Sequence, residues 1–277
     1  MLAVHVINLA DRPERLVHMR DQFARIGIPF ERLEAVDGRA LAASGDRHPV
    51  LTPGGYGCFR SQLAAMARIA AGEAPFGVVM EDDLWFTDRL APLLRSSDWI
   101  PVDADLVKLE TSLRPIHLSR SGRSIGPGLT LHRLLGRHMG AGCYVVSKAA
   151  AARFAGLDAK AATVSFDALL FDPRCHPFPG LHLHQVSPAV AVQDIIVKDE
   201  ADLEFASDTD FDLAERRRRR RAERDRGLLG ALRRATRDGR HRIKDLVDLA
   251  RHAVAARTLD IECRVVPVAP LPPPLPR

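Results

Sequence analysis

The chain has 277 residues, 46% of them hydrophobic and 27% charged, with a formal net charge of +5. That apolar content supports a real core and excludes a chain disordered throughout, and the length allows one large α/β domain with an appendage or two small domains. The charge is uneven: positions 215–257 carry 16 Lys/Arg against 6 Asp/Glu, which leaves the remainder at −5, the pattern of a catalytic body tethered to an anionic surface such as a membrane rather than of a nucleic-acid-binding fold.

In chain order, Val4-His5-Val6-Ile7-Asn8-Leu9 is an apolar run without a basic leader, so it reads as a first buried strand and not as a signal peptide. Residues 12–26 have helical spacing and are closed by Gly27 and Pro29; a second helix is expected over 57–71, closed by Gly72. Next comes Val78-Val79-Met80-Glu81-Asp82-Asp83-Leu84, an apolar strand ending on three adjacent carboxylates. Further strands are expected at 106–109, 143–146 and 186–192, with Ser147 placed to cap a helix over 148–154 through its hydroxyl. Residues 114–137 hold Gly, Ser, Pro and Arg without a period and read as a long loop over the cleft. Strands alternating with helices predict the α/β class.

After residue 199 the character changes. An acidic stretch over 199–215 leads into six consecutive arginines, Arg216 to Arg221, which read as a solvated face or arm. Ile243, Leu246, Val247, Ala250, Ala253 and Val254 recur at helical spacing, either as an amphipathic basic helix or as a helix packed on the body. Residues 267–276 are Pro-rich and are expected to be extended and disordered. No apolar stretch approaches the ~20 residues a bilayer span needs, so membrane contact is expected to be peripheral. Cys58, Cys143, Cys175 and Cys263 stand far apart with no C-x-x-C pair or zinc-like spacing, as in reduced cytosolic proteins.

The acidic tip is the chain's candidate metal site. On an extended backbone Glu81 and Asp83 share one face while Asp82 turns to the other. Hard carboxylate oxygens suit Mn²⁺ or Mg²⁺, which can bridge to a substrate diphosphate. The competing reading is a solvated acidic turn after a buried strand. His138 is left out of the metal set, as a solvated histidine in an Arg-rich loop.

Several segments, taken in order, resemble glycosyltransferase family 25, the group that includes bacterial lipooligosaccharide galactosyltransferases. They are Val6-Ile7-Asn8-Leu9 with Arg12-Pro13-Glu14-Arg15, Gly27-Ile28-Pro29-Phe30, Ala35-Val36-Asp37-Gly38, Leu51-Thr52-Pro53-Gly54, Gly57-Cys58-Phe59-Arg60-Ser61-Gln62, Glu81-Asp82-Asp83, Lys108-Leu109-Glu110-Thr111, the Gly140 to Ser147 strand, Phe166-Asp167 and Ser187-Pro188-Ala189 through Gln193-Asp194. The resemblance covers about the first 195 residues. Two departures stand out: the family pattern reads Ser-His at Ser61-Gln62, and Gly-Thr-Ala-Gly-Tyr where this chain has Gly140-Ala141-Gly142-Cys143-Tyr144.

The resemblance implies a single glycosyltransferase A-type domain over 1–199, with a mixed, mostly parallel sheet, and a basic helical extension with a Pro-rich end over 200–277. It implies a metal-dependent transfer of a sugar, galactose in the first instance, from a UDP-sugar to a lipooligosaccharide or polysaccharide acceptor with inversion. In that picture Asp83 binds Mn²⁺ or Mg²⁺, Glu81 assists it or the ribose, and Asp82 supports their geometry. Asn8, Arg12 and Arg15 would read base, ribose or diphosphate, and Glu110 would hold sugar hydroxyls. The base that takes the acceptor proton is Asp167 or Asp194, and either could instead be a helix cap or loop acid. The expected partners are a nucleotide-sugar donor, a glycan or glycolipid acceptor and, through the basic segment, the anionic inner face of the cytoplasmic membrane, with nucleic acid disfavoured. A catalytically degenerate relative that binds nucleotide-sugar or envelope-synthesis partners is the alternative, motivated by Gln62 and Ala141.

Overall fold

The computed structural model describes residues 1–197 and 260–272. The arginine run and the helical pattern over 243–254 lie outside the described residues.

In chain order the elements are β1 (Ala3–Asn8), α1 (Pro13–Ile26), β2 (Glu31–Glu34), α2 (Gly38–Ala43), α3 (Pro53–Ala71), β3 (Phe76–Glu81), β4 (Leu84–Phe86), α4 (Leu90–Arg95), β5 (Leu106–Lys108), β6 (Pro115–Ser119), β7 (Arg123–Gly126), β8 (Leu129–Arg133), β9 (Cys143–Ser147), α5 (Lys148–Ala155), α6 (Phe166–Phe171), β10 (Leu183–Ser187), β11 (Ala191–Gln193), α7 (Asp194–Val197) and β12 (Ile261–Val265). Local chemistry sets several boundaries. Pro13 opens α1, and Gly27 closes it in the left-handed conformation at φ 63°. The helix expected from residue 57 begins earlier: Thr52 accepts from the Gly55 N–H at 3.0 Å and Pro53 fills the first turn, so the Gly54-Gly55 pair is helical. Ser147 caps α5 by accepting from the Ala150 N–H at 3.1 Å, as its position predicts.

The main sheet has eight strands in the order β2-β1-β3-β9-β5-β10-β8-β7. Pairing is parallel for β1–β2, β1–β3 and β5–β10, and antiparallel for β3–β9, β5–β9, β8–β10 and β7–β8. The expectation of a mostly parallel sheet is thereby corrected at the level of pairing, because β9 and β8 are inserted against the prevailing direction. Hydrophobic period reports that a strand exists, not which way it runs. Residues 114–137, expected to be loop, contain β6 and the β7–β8 hairpin turned by Gly126 and Gly128. Their charged, glycine-rich composition is that of a sheet edge, which apolar alternation does not reveal.

Alternate side chains of the central strands feed two cores. Val78 and Met80 join Val4, Val6, Phe23 and Val145 on one side; Val79 joins Ile7, Phe59, Met66, Tyr144, Val146 and Phe154 on the other. Helices therefore cover both faces, and the polar ends of β1 and β3 emerge at one edge.

The C-terminal residues correct a second expectation. β12 pairs antiparallel with β6, Thr111 Oγ1 donates to the Val266 carbonyl at 2.8 Å, and Ala189 exchanges backbone bonds with Pro267 and Ala269. Val266 and Ala269 are buried. Residues 260–272 thus belong to the body, not to an appended tail, because the edge of β6 and the exposed backbone at Ala189 give them partners for their amides and carbonyls.

Candidate functional site

β1 and β3 run parallel in register, Ile7 opposite Glu81, so their carboxyl ends open together onto a cavity. Its walls are the end of β1 (Ile7, Leu9), Asp11 and Arg15, the segment Ala35 to Arg39, the face of α3 that carries Cys58, Ser61 and Gln62, and all three acids Glu81, Asp82 and Asp83. The α2 and α3 starts pack almost backbone to backbone. A Cβ on Gly38 would stand 1.8 Å from the Pro53 carbonyl oxygen, and one on Gly57 would stand 2.5 Å from that of Val36. Asp37 caps α2 by accepting from the Arg39 and Ala40 N–H groups, and the Ser61 hydroxyl holds the Val36 N–H at 2.8 Å. This wall is therefore rigid, as a binding wall should be.

β3 ends at Glu81, so Asp82 and Asp83 lie in the turn to β4 and strict strand alternation stops there. Asp82 accepts from Asn8 Nδ2 at 2.7 Å and pairs with Arg15 Nη1 at 3.1 Å. It lines the same cavity as Glu81 and Asp83, which corrects the expectation that it turns to the opposite face. Glu81 is held by two amides: Gln62 Nε2 donates to Oε1 at 3.1 Å and Gln193 Nε2 donates to Oε2 at 3.0 Å. Asp83 is 6% exposed, and its Oδ1 is buried with no hydrogen-bond partner.

Electrostatics follow from that inventory. Burial, then the Asp83 and Glu110 charges, push the Glu81 carboxyl up to about 8. Burial and Asp82 push Asp83 up to about 7, against the pull of Arg15. The Cys58 thiol, 3.8 Å from Glu81 Oε1, is pushed well up by burial and by the charges of Glu81, Asp167 and Asp83. Two acids are thus gathered where positive charge is short, and one buried oxygen lacks a donor. That arrangement fits a hard divalent cation. Among the described residues no group of three or more His, Cys, Asp or Glu side chains is arranged to hold a metal by itself, so the remaining ligands would be water and substrate oxygens.

The other residues singled out from the sequence are placed as follows. Asn8 is buried; besides Asp82 it serves the Arg12 carbonyl at 3.0 Å and accepts from Arg32 Nε at 2.9 Å. Arg12 pairs with its neighbour Asp11 at 3.0 Å, whereas Arg15 lines the cavity. Glu110 is buried two residues beyond β5, where it accepts from Lys108 Nζ at 3.0 Å and from the Gly142 N–H at 2.7 Å. Lys108, with no exposure, also donates to the Gly140 carbonyl and lies 4.3 Å from the centre of the Phe171 ring. Asp167 is half-buried in the first turn of α6 and accepts from the Gly140 N–H at 3.1 Å. Asp194 has no exposure; it accepts from Trp85 Nε1 at 2.6 Å and donates its own N–H to the Asp83 carbonyl at 2.9 Å. His138, expected to be solvated, is instead buried, with Nδ1 against the Met139 carbonyl at 2.7 Å and its pKa driven down by burial.

Gln62, Gln193, Cys58 and Ser61 are site residues that composition and spacing do not reveal as such. Gln62 and Gln193 sit in segments quoted for the family resemblance, but no spacing rule places an amide from each on one carboxylate. For Gln62 the signal was present as a departure from that pattern.

Residues 1–170 match the family description "Glycosyltransferase family 25 (LPS biosynthesis protein)". "Lacto-N-neotetraose biosynthesis glycosyltransferase LgtB" of Neisseria meningitidis serogroup B is 29% identical over 209 residues, 69% of this chain and 75% of that one. "Lacto-N-neotetraose biosynthesis glycosyltransferase LgtE" of Neisseria gonorrhoeae is 27% identical over 212 residues, 69% and 74% of the two chains. A mouse protein named "Inactive glycosyltransferase 25 family member 3" is 33% identical over 101 residues, 31% of this chain and 17% of its own. No helix of the described residues is long and apolar enough to cross a membrane. With more than half of its length matched and the acidic tip opening into a cavity at the strand ends, the chain belongs to glycosyltransferase family 25 and is a glycosyltransferase.

Proposed function

We propose that this enzyme transfers galactose from UDP-galactose to a cell-envelope lipooligosaccharide or polysaccharide acceptor, with Mn²⁺ or Mg²⁺ held at Glu81 and Asp83. The observation that carries the reading is the buried, partnerless Asp83 Oδ1 beside Glu81 in the cavity at the ends of β1 and β3. The names of the lacto-N-neotetraose relatives support the acceptor class, and the family resemblance supports the sugar. A bound cation would supply the charge that stabilises the departing nucleoside diphosphate.

The chain's own groups prepare that event. Arg15 and Asn8 hold Asp82, so the turn after β3 keeps one geometry. Arg15 and Arg39 also contribute positive charge to the cavity wall where a diphosphate would lie. Inversion needs one carboxylate to accept the proton of the incoming hydroxyl. We assign that role to Asp167, which is half-buried and electrostatically close to Cys58 in the cavity wall. Asp194 is enclosed and engaged by Trp85, so its role is to staple the end of β11 to the Asp83 turn. The basic segment 215–257 would rest on the anionic inner face of the cytoplasmic membrane.

Calorimetric titration with UDP, with and without Mn²⁺, followed by turnover of a UDP-sugar panel, tests the reading. Cation-dependent UDP binding and preferential consumption of UDP-galactose are expected. Absence of both UDP binding and donor hydrolysis overturns it, while binding without turnover, unchanged in Asp167→Ala, would establish the degenerate alternative.

A further inference from the structure

We infer that Gln62 and Gln193 are positioning residues that clamp the Glu81 carboxylate from both sides and so set the affinity of the site for a divalent cation. Each occupies a different Glu81 oxygen, at 3.1 and 3.0 Å. The two amides come from unrelated parts of the fold: Gln62 from α3, and Gln193 from the end of β11, where pairing with β4 sets it opposite Leu84. The orientation of Gln62 is fixed by chemistry and does not depend on telling nitrogen from oxygen by position. Its Nε2 also lies 3.2 Å from the Ala141 carbonyl, which can only accept, so the NH₂ end must face Ala141 and Glu81. The other end then accepts from the Tyr144 hydroxyl at 2.7 Å. Gln62 has no exposure, so this lock excludes water. The next residue, Asp194, donates its N–H to the Asp83 carbonyl at 2.9 Å, so the end of β11 is tied to both acids of the tip.

Two neutral donors orient Glu81 without cancelling its charge. A cationic clamp would compete with the metal; an amide clamp fixes the carboxylate plane and leaves its remaining lone pairs for a cation. The inference rests on the donor-site reading above, and its test separates the two. Mn²⁺ binding is measured by electron paramagnetic resonance, with and without UDP, in the wild type, Gln62→Met, Gln193→Met, Gln62→His and Tyr144→Phe. The two methionine variants keep the side-chain length but donate nothing; each is expected to weaken Mn²⁺ binding about 10–100-fold. Gln62→His restores one N–H donor and should recover most of that loss. Tyr144→Phe removes the bond behind the amide while leaving the Ala141 lock, so it controls for stability and should bind Mn²⁺ within about threefold of wild type. Methionine variants that bind Mn²⁺ as tightly as wild type overturn the clamp alone. Losses in Tyr144→Phe equal to those in Gln62→Met also overturn it, since they would reduce the effect to packing. A wild type that binds no Mn²⁺ overturns the metal-site reading and the clamp with it.

Discussion

Two buried acidic groups lie close together in this fold and are treated in opposite ways. Glu110 has its own internal cation: its Oε1 accepts from a lysine ammonium and from a backbone N–H, with the lysine itself sealed by the Gly140 carbonyl and the Phe171 ring. Glu81 has two amides but no lysine, and one oxygen of the adjacent Asp83 has nothing. Arg15, in the same cavity wall, pairs with Asp82. A buried acid with its own cation is a finished structural unit, whereas a buried pair without one is a site whose balance is completed from outside. The position of a carboxylate at a strand end does not distinguish the two; the partner does.

The comparison can be broken most decisively at Asp83. Asp83→Asn should abolish cation-dependent turnover, by about 10³-fold or more in kcat/KM, the order lost when a main electrostatic contact to the reacting groups is removed. Thermal melts of the same variant at pH 8 should show no loss of stability, because the variant removes an uncompensated buried charge. A lowered Tm would mean that Asp83 already has its partner.

Asp167 and Asp194 extend the contrast to the two base candidates. Asp167→Asn should lower kcat by about 10²–10⁴-fold with UDP binding intact. Asp194→Asn should act through stability and donor affinity, since its carboxylate is occupied by Trp85. A pH–rate profile of each variant decides between them: the one that loses the ascending acid limb carried the base.

Lys108 tests the finished unit. Lys108→Met strands Glu110 in the core and should cost about 3–5 kcal/mol in denaturant unfolding, while the double replacement Lys108→Met with Glu110→Gln should recover most of it. Equal losses in the single and double variants would show that the pair is not coupled.

The contrast also extends to the pH dependence of the cation-free protein. Glu81 and Asp83 hold their protons more tightly folded than unfolded, with pKa values raised from 4.5 to about 8 and from 3.8 to about 7. The folded state therefore binds more protons across that window, so stability should fall as pH rises from about 4 to about 8 and then level off. Mn²⁺ affinity should rise over the same interval, because proton and cation compete for the same oxygens. Stability that is flat with pH, measured by urea titration, would remove the case for an uncompensated pair.

Much of this architecture is legible from local pattern. Period and caps locate β1, α1, β3 and α5, because burial on one or two faces and the needs of free helix-end amides are written in neighbouring residues. The β7–β8 hairpin was hidden, since an edge strand carries charges and glycines in place of alternation. So was the return of residues 260–272 to the body, whose attachment depends on backbone partners at β6 and Ala189 that no sequence period encodes.

The sequence by itself determined the acidic tip: three adjacent carboxylates at the end of an apolar strand stand together at that end, whatever surrounds them. Only the tertiary structure decided what each carboxylate meets. Asn8 and Arg15 reach Asp82 across 74 and 67 residues, Gln62 reaches Glu81 across 19, and Gln193 reaches it across 112. Hydrogen bonds act over about 3 Å, so which acid is neutralised and which is left for a ligand is a property of packing, not of chain order.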